Sequence, residues 1–258
     1  MKKIILFLLL PSLLFAGMQM CKAKTDTNNI IFPKTAKIVF APTNQFTLYA
    51  KIKIDTAGTY NVYTSTIRTT TDSSFYTYWA ANRIYWIITG VAATNNNLRK
   101  TSVVSINRVA NLFYIKSGTT FDTTNIHVYI DHTKIDSGAA AKTGTNLEYI
   151  SLGVNDSMVI GYKATGAPRI TFYDMAIYNH ALNYAEVGLL MAGIDPVLVY
   201  GCLWKPDLRA RTVGGYMTAN TRIADFTGGP SGYVRNKKNN TPVYVPDYPY
   251  LSGAGVQQ

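Results

Sequence analysis

The segment SFYTYWAANRIYW, residues 74–86, concentrates side chains that can bind a sugar. Flat aromatic rings stack on the C–H faces of a pyranose, and amide or guanidinium groups beside them donate hydrogen bonds to its hydroxyl groups. The segment therefore predicts a ligand-binding group, whose members are Tyr76, Tyr78, Trp79, Arg83, Tyr85 and Trp86. The alternative is that these residues are core or cross-strand pairs, which is a common role of aromatic residues in strands.

Oxygen ligands for a metal ion lie in other parts of the chain. Asp131, Asp156 and Asp174 supply carboxylates near predicted turns and strand irregularities. Calcium binds six to eight oxygen ligands of this kind, so the sequence predicts calcium as the most credible metal. The alternative is that these residues form turns, for which Asp is well suited.

No group of residues has the pattern of a catalytic site. The chain has no G-x-S-x-G segment, no phosphate-binding glycine loop and no cysteine in a motif typical of a catalytic thiol. His127 and His132 are separated by an odd number of positions, so on a regular strand they face opposite sides and cannot share a metal. The sequence therefore predicts no catalytic residues and a protein that is not an enzyme.

The formal net charge of +11 is unevenly distributed along the chain. Residues 1–25 carry four Lys and no acidic residue, and residues 203–258 carry seven basic and three acidic residues. The body between them carries fourteen basic and eleven acidic residues and is nearly neutral. A nucleic-acid-binding domain concentrates its cations on one face of the fold, so nucleic acid is not the expected partner.

The elements that must position these residues are predicted to be β-strands. Short runs of aromatic and β-branched residues alternate with turn-forming residues throughout the chain. The run FTLYAKIKID alternates apolar and more polar residues, which predicts a half-buried strand whose second face meets water at Thr47, Tyr49, Lys51 and Lys53. NIHVYID repeats the pattern with Ile126, Val128 and Ile130 inward. The sequence thus predicts an all-β, antiparallel sandwich.

The segment ITFYDMAIYNHALNYAEVGLLMAG, residues 170–193, predicts a bulged strand followed by a short helix. The alternation of apolar residues slips by one position near Asp174, which indicates a β-bulge. Asn183 and Glu186 have the spacing of a capping box, and Leu182 and Val187 that of a hydrophobic staple. The helix is predicted over residues 183–192, with Gly193 as its end.

The first seventeen residues, MKKIILFLLLPSLLFAG, have the pattern of a secretory signal peptide. Two Lys precede a short apolar run, and small residues follow it, with Ala16 as the natural cleavage position. This predicts a secreted or surface-exposed protein. Cys21 leaves a lipoprotein open as an alternative, and a bridge between Cys21 and Cys202 is also open.

The remaining chain is predicted to divide into three parts. Residues 18–29 are a polar, flexible lead-in, and residues 30–203 form the sandwich. Residues 204–258 are rich in Gly, Pro and Tyr and have weak periodicity, which predicts an irregular arm or a small subdomain. Such an arm can attach the protein to other copies of itself or to a larger assembly, or it can be a tail.

Three segments resemble the LamG-like jelly rolls of the concanavalin A-like lectin/glucanase superfamily. Residues 170–193 resemble the strand and capped helix that close that domain, with matches at Asp174, Ile177, Tyr178, Asn179, Ala181, Leu182, Asn183 and Glu186 and a departure at Tyr173. NIHVYIDHTKI resembles its hairpin strand, with Asp131 matching and His132 in place of glycine. SMVIGYKATGAPRITF resembles the strands before it, with Gly161 at the matching position.

The resemblance implies a concanavalin A-like jelly roll, a fold whose members bind glycans, proteins or calcium. Glucanases of the superfamily carry an E-x-D-x-x-E strand motif, which this chain lacks. The leading hypothesis is a non-catalytic recognition module that binds a glycan or a surface protein. The alternative is a structural assembly protein of a virion surface, fibre or decoration, in which the jelly roll is the scaffold and residues 204–258 provide attachment.

Overall fold

The computed structural model describes residues 16–20, 29–33, 38–54, 74–80, 83–89, 97–103, 107–135, 141–143, 150–151, 158–160, 170–208, 221–235 and 243–246. Within these ranges the chain forms eighteen β-strands and a single α-helix. All pairings between these strands are antiparallel. The predicted all-β, antiparallel sandwich is confirmed.

The strands are β1 Ala16–Met20, β2 Asn29–Phe32, β3 Val39–Phe40, β4 Phe46–Ile54, β5 Ser74–Ala80, β6 Arg83–Thr89, β7 Asn97–Val103, β8 Val109–Lys116, β9 Ile126–Ile130, β10 Thr133–Lys134, β11 Ala141–Thr143, β12 Ile150–Ser151, β13 Met158–Ile160, β14 Ile170–Tyr178, β15 Cys202–Trp204, β16 Arg222–Ile223, β17 Gly232–Arg235 and β18 Val243–Pro246. Helix α1 spans Tyr184–Met191. Short 3-10 turns span Thr123–Asn125 and Pro196–Leu198.

The strands are arranged in sheets around one main core. The largest sheet has the order β10-β9-β8-β4-β14-β1-β18, and β15 also pairs with β14. A second sheet has the order β13-β2-β17-β16, and buried apolar side chains of both sheets form one cluster. The sheet β11-β7-β6-β5 adjoins them, since β5 contacts β12 and β7 contacts β9. This last sheet carries the predicted ligand-binding group.

The outer face of the large sheet is covered along most of β4. The prediction for the inner face of β4 is confirmed, because its apolar residues from Phe46 to Ile54 lie in the main core. The prediction for its other face is wrong at Thr47, Tyr49 and Lys51, which are buried, whereas Lys53 is half-buried. Tyr49 packs in a second cluster with Val187 and other residues of α1 and its flanking turns. The helix therefore acts as a third layer over this part of the sheet.

The predicted bulge in β14 is present. The register between β14 and β4 pairs Phe172 with Ile52 and then Asp174 with Lys51, so Tyr173 is the extra residue of the longer strand. A bulge of this kind shifts the alternation by one position. This explains why all nine residues of β14 are buried, with Phe172 and Met175 in the main core and Ala176 and Tyr178 in the helix-side cluster.

Helix α1 has the predicted ends. Asn183 is its N-cap, and its side chain accepts hydrogen bonds from the backbone of Ala185 and Glu186, while Glu186 Oε2 accepts from the Asn183 backbone at 2.8 Å. At the other end Gly193 has a φ of +86°. Its N–H donates to the Leu190 carbonyl, and the Ile194 N–H donates to the Leu189 carbonyl, which is a Schellman motif. The eight-residue helix is thus fixed at both termini.

Replacing Asn183 with alanine is expected to lower the free energy of unfolding by about 1 kcal/mol, because two backbone N–H groups lose their acceptor. Serine at the same position is expected to keep most of the stability, since its hydroxyl also caps helices. Urea unfolding of the two variants measures the difference. An equal loss in both variants would show that the cap does not contribute.

The described residues after position 203, in the region predicted to be an irregular arm or a small subdomain, take part in the sandwich. β17 pairs with β2, and β18 pairs with β1. Leu208, Ile223 and Val234 are buried in the main core with Trp204. These residues therefore pack with the sandwich, while the predicted domain boundary at residue 203 stays a prediction. Not every described apolar residue of this region lies in the core, since Phe226 and Tyr233 are exposed.

The segment at the start of the chain is also partly structured. Residues 1–15 of the predicted leader lie outside the described residues, whereas Ala16–Met20 form β1 between β14 and β18. Residues 18–20 of the predicted flexible lead-in therefore belong to a strand. Cys202 is a free thiol in this structure, and Cys21, its partner in the predicted alternative of a bridge, lies outside the described residues. No helix in the described part of the chain has the length and apolar character of a membrane span.

Candidate ligand-binding surface

β5 and β6 form an antiparallel pair that carries all six residues of the predicted ligand-binding group. In its register Tyr78 lies opposite Tyr85, and Ala80 lies opposite Arg83. Paired residues occupy the same face of a sheet, and successive residues of a strand alternate between faces. Positions 76, 78, 83 and 85 therefore share one face, which we call the tyrosine face: it holds Tyr76, Tyr78, Arg83 and Tyr85.

The two tryptophans of the predicted group lie on the opposite face. Trp79 is paired with Ile84, and Trp86 is paired with Thr77. The same face also holds the paired residues Phe75 and Ile88. This face also holds Lys100, the partner of Trp86 in β7, while the tyrosine face also holds Ile87 and Val103. The register thus divides the six predicted residues into a set of four and a set of two.

Strand β7 extends the tyrosine face with two residues that the sequence analysis missed. Thr101 is paired with Tyr85, and Arg99 is paired with Ile87, so both positions lie on the tyrosine face. The segment NLRKTSV has no aromatic residue and does not stand out in the sequence. Only the pairing of β7 with β6 identifies Arg99, and this pairing is seen in the structure and not in the sequence. The face then presents two guanidinium-bearing positions beside three tyrosines.

Asp131, the first predicted calcium ligand, has a structural role in the β9–β10 hairpin. It occupies the two-residue turn with a φ of +55°. Its Oδ1 accepts hydrogen bonds from the Asn111 backbone at 2.9 Å and from Asn111 Nδ2 at 3.1 Å. Its Oδ2 is paired with Arg108. Both carboxylate oxygens therefore already bind other groups, which belong to Asn111 in strand β8 and to Arg108 just before that strand.

Asp174, another predicted calcium ligand, lies beside a lysine that is fully buried. Lys205 is 0% exposed, and its Nζ is 3.7 Å from Asp174 Oδ1 and 3.6 Å from Asp195 Oδ1. The Lys205 ammonium also lies 4.4 Å from the centre of the Phe226 ring, which favours a cation. A lysine therefore supplies the positive charge beside Asp174.

The predicted calcium ligands are not assembled into a site in the described residues. Asp156 lies outside them, and Asp131 and Asp174 are engaged as above. The described part of the chain holds no group of three His, Cys, Asp or Glu residues that can bind a metal ion. Because Asp156 is outside the described residues, the predicted set of calcium ligands is not tested as a whole and stays a prediction.

The described cysteine and histidine residues do not form a nucleophilic group. Burial raises the pKa of Cys202 to about 12, so its thiol stays protonated at neutral pH. His180 Nε2 lies 3.0 Å from Glu186 Oε1, but Glu186 is also the reciprocal partner in the helix cap. The His180–Glu186 pair is thus part of the structure around the start of α1.

Comparison with known proteins extends this description only at the level of the fold. No family model matches the chain, and no curated protein sequence matches it. Solved structures do match. A Bacteroides ovatus protein to which carbohydrate binding has been attributed superposes with a TM-score of 0.55 and 16% identity, over 89% of this chain and 61% of that one. The likeness is one of fold.

The receptor-binding domain of botulinum neurotoxin D has a similar fold. It matches with a TM-score of 0.50 and 13% identity, over 95% of this chain and 58% of that one. In both comparisons this chain spans less than two thirds of the other chain. The two structures are named for binding, and neither name describes an enzyme.

Proposed function

We propose that this protein is a non-catalytic recognition module that binds a glycan on the tyrosine face of the β5–β6–β7 sheet. The observation that carries the proposal is the register of these strands, which collects Tyr76, Tyr78, Arg83 and Tyr85 at positions on one face. Tyrosine rings offer apolar faces for stacking on sugar rings, and guanidinium groups donate several hydrogen bonds in a fixed geometry. Arg99 adds a second such group at the same face.

The division between the two faces of the sheet supports this choice of surface. A sheet of a sandwich buries one face and exposes the other, and the buried face is the more apolar one. The face of Trp79, Trp86, Phe75 and Ile88 has more large apolar residues, although Lys100 lies on it opposite Trp86, so we assign it to the interior and assign the tyrosine face to the ligand. The two tryptophans are thereby removed from the binding group and given a packing role.

The proposed class of protein is a LamG-like jelly roll. The resemblance of residues 170–193 to that class and the fold likeness to the Bacteroides protein support it. The absence of a catalytic pattern in the sequence and the engagement of Asp131 and Asp174 in structural contacts support a non-catalytic role. The leader pattern of residues 1–17 supports export, and cleavage after Ala16 leaves four residues of β1 in the mature chain.

A glycan array with the full chain, followed by titration calorimetry on the best ligand, tests the proposal. Wild-type protein is expected to bind, and Tyr85→Ala is expected to weaken binding about tenfold, because a stacked ring contributes on the order of 1 kcal/mol beyond its buried area. Tyr233→Ala is the matched control, since Tyr233 is an exposed tyrosine of β17 away from the tyrosine face. No binding on the array, or an equal loss in both variants, would refute the assignment.

A further inference from the structure

Strand β1 lies within the largest sheet, between β14 and β18. Its backbone is paired on both sides: residues 18–20 pair with residues 172–170 of β14, and residues 16–19 pair with residues 246–243 of β18. The strand begins at Ala16, the residue after which the leader pattern predicts cleavage, and ends one residue before Cys21. The two processing routes predicted from the sequence therefore affect this strand differently.

Cleavage after Ala16 leaves the pairing of β1 almost complete. Residues 17–20 keep all three pairs with β14 and three of the four pairs with β18. The pair that is lost joins Ala16 to Pro246, and proline has no backbone N–H to donate to a neighbouring strand. The new amino terminus would then be Gly17, at the very start of the paired segment.

The lipoprotein alternative places the new amino terminus at Cys21 and so removes the whole of β1. The three pairs with β14 and the four pairs with β18 would all be lost. Among the described strands β18 pairs with β1 alone, so β18 would have no neighbour. In β14, Ile170 and Phe172 have buried side chains, and the backbone between them would keep only its pairing with β4. Loss of paired backbone groups costs free energy and leaves an open sheet edge.

Residue size at the two cleavage positions favours the same route. A small residue precedes the bond that a leader peptidase cuts. Ala16 meets this requirement, whereas the residue before Cys21 is Met20. The sequence and the strand pairing are independent observations, and both favour cleavage before Gly17.

We infer that the chain is processed by a leader peptidase at the peptide bond between Ala16 and Gly17, and that Cys21 is not an acylated amino terminus. Residues 17–20 then belong to the mature fold, in which they join β18 to β14. The inference rests on the export that the proposed function includes, and it adds the site of processing.

Expression of the full chain with its leader, in a bacterium that both exports and acylates proteins, tests the inference. Amino-terminal sequencing and intact mass are expected to show a mature protein of residues 17–258 without attached lipid. Cys21→Ser is the control and is expected to be processed as the wild type is, because the thiol takes no part. Ala16→Tyr is expected to lose the mature form, because the small residue at the cut is replaced.

Hydrogen exchange of the mature protein supplies a second measurement. The backbone amides of residues 18–20 and 243–245 are expected to exchange slowly, because both segments are paired in the sheet. Exchange of residues 243–245 at the rate of an unfolded chain would overturn the inference, since β18 would then lack its neighbour.

Three results of the processing experiment would also overturn the inference. They are a mature chain that begins after Gly17, loss of processing in Cys21→Ser, and normal processing of Ala16→Tyr. An unprocessed chain that stays in the cell would refute the proposed export as well, whereas an exported chain that begins at Cys21 would refute only the processing site. Glycan binding is measured separately on the array, so neither result decides it.

Discussion

Replacing Asp174 with asparagine is expected to lower the free energy of unfolding by about 1–3 kcal/mol, because the buried ammonium of Lys205 loses one of the two carboxylates beside it. Lys205 is 0% exposed and its Nζ lies 3.7 Å from Asp174 Oδ1. After the change, its nearest remaining carboxylate in the described residues is that of Asp195, 3.6 Å away on a side chain that is 33% exposed. Asp174 also holds the bulge, since its Oδ1 accepts from the Met175 backbone at 3.1 Å.

Urea unfolding of the single and double variants measures this effect. Adding Lys205→Met to Asp174→Asn is expected to recover most of the lost stability, because the buried ammonium that kept only one of its two carboxylates is then removed. A double variant that is no more stable than Asp174→Asn would contradict the ion-pair account. The same experiment separates the predicted calcium role from the structural one. A calcium-dependent rise in wild-type stability that Asp174→Asn removes would restore Asp174 as a metal ligand.

Replacing Lys116 with methionine is expected to lower the free energy of unfolding by about 2–4 kcal/mol, since three backbone carbonyl groups lose their charged donor. The Lys116 side chain is fully buried, and its Nζ donates to the carbonyls of Asn44 at 2.8 Å and Gly118 at 2.7 Å and to that of Pro42. The ammonium thus joins the turn before β4 to the loop after β8. Lys134→Met, at an exposed lysine, is the control and is expected to change stability by less than about 0.5 kcal/mol.

The contribution of Lys116 to the free energy of unfolding is expected to rise with pH. Burial lowers the pKa of Lys116 from its ordinary value of 10.5 to about 8. Between these two values the unfolded chain binds more protons than the folded one at this site, so this group makes stability rise with pH. The stability difference between wild type and Lys116→Met is therefore expected to grow between pH 8 and pH 10.5. A difference that is constant or shrinks over this window would show that the pKa is not lowered.

Features with a local cause could be predicted from the sequence. The bulge at Asp174 follows from a slip in alternation, and the ends of α1 follow from Asn183, Glu186 and Gly193, all of which act within a few residues. The prediction for the second face of β4 was wrong because the cause of its burial is distant in sequence. Thr47 and Tyr49 alternate with apolar residues as in a strand with one solvated face, but the helix that covers them lies more than 130 positions further along the chain. Thr47 Oγ1, for example, accepts from the Leu182 backbone at 2.9 Å.

The candidate site could be predicted in part. Residue type identified the tyrosines and Arg83, but only the pairing of β5 with β6 separates them from Trp79 and Trp86. β5 ends at Ala80 and β6 begins at Arg83, a spacing typical of a hairpin, and hairpin spacing fixes the register. Arg99 could not be identified, because its place depends on a third strand. The pairing of β17 with β2 joins segments near opposite ends of the chain, so no pattern of neighbouring residues predicts it.

The central claim, that the tyrosine face binds a glycan, is tested most directly by an NMR titration. ¹⁵N-labelled protein is titrated with the oligosaccharide that binds best on the array, and the backbone amides that shift are mapped onto the strands. The predicted result is that shifts concentrate in residues 74–80, 83–89 and 97–103, which form β5, β6 and β7. Saturable shifts confined to residues outside these strands, such as those of α1 or β17, would contradict the account.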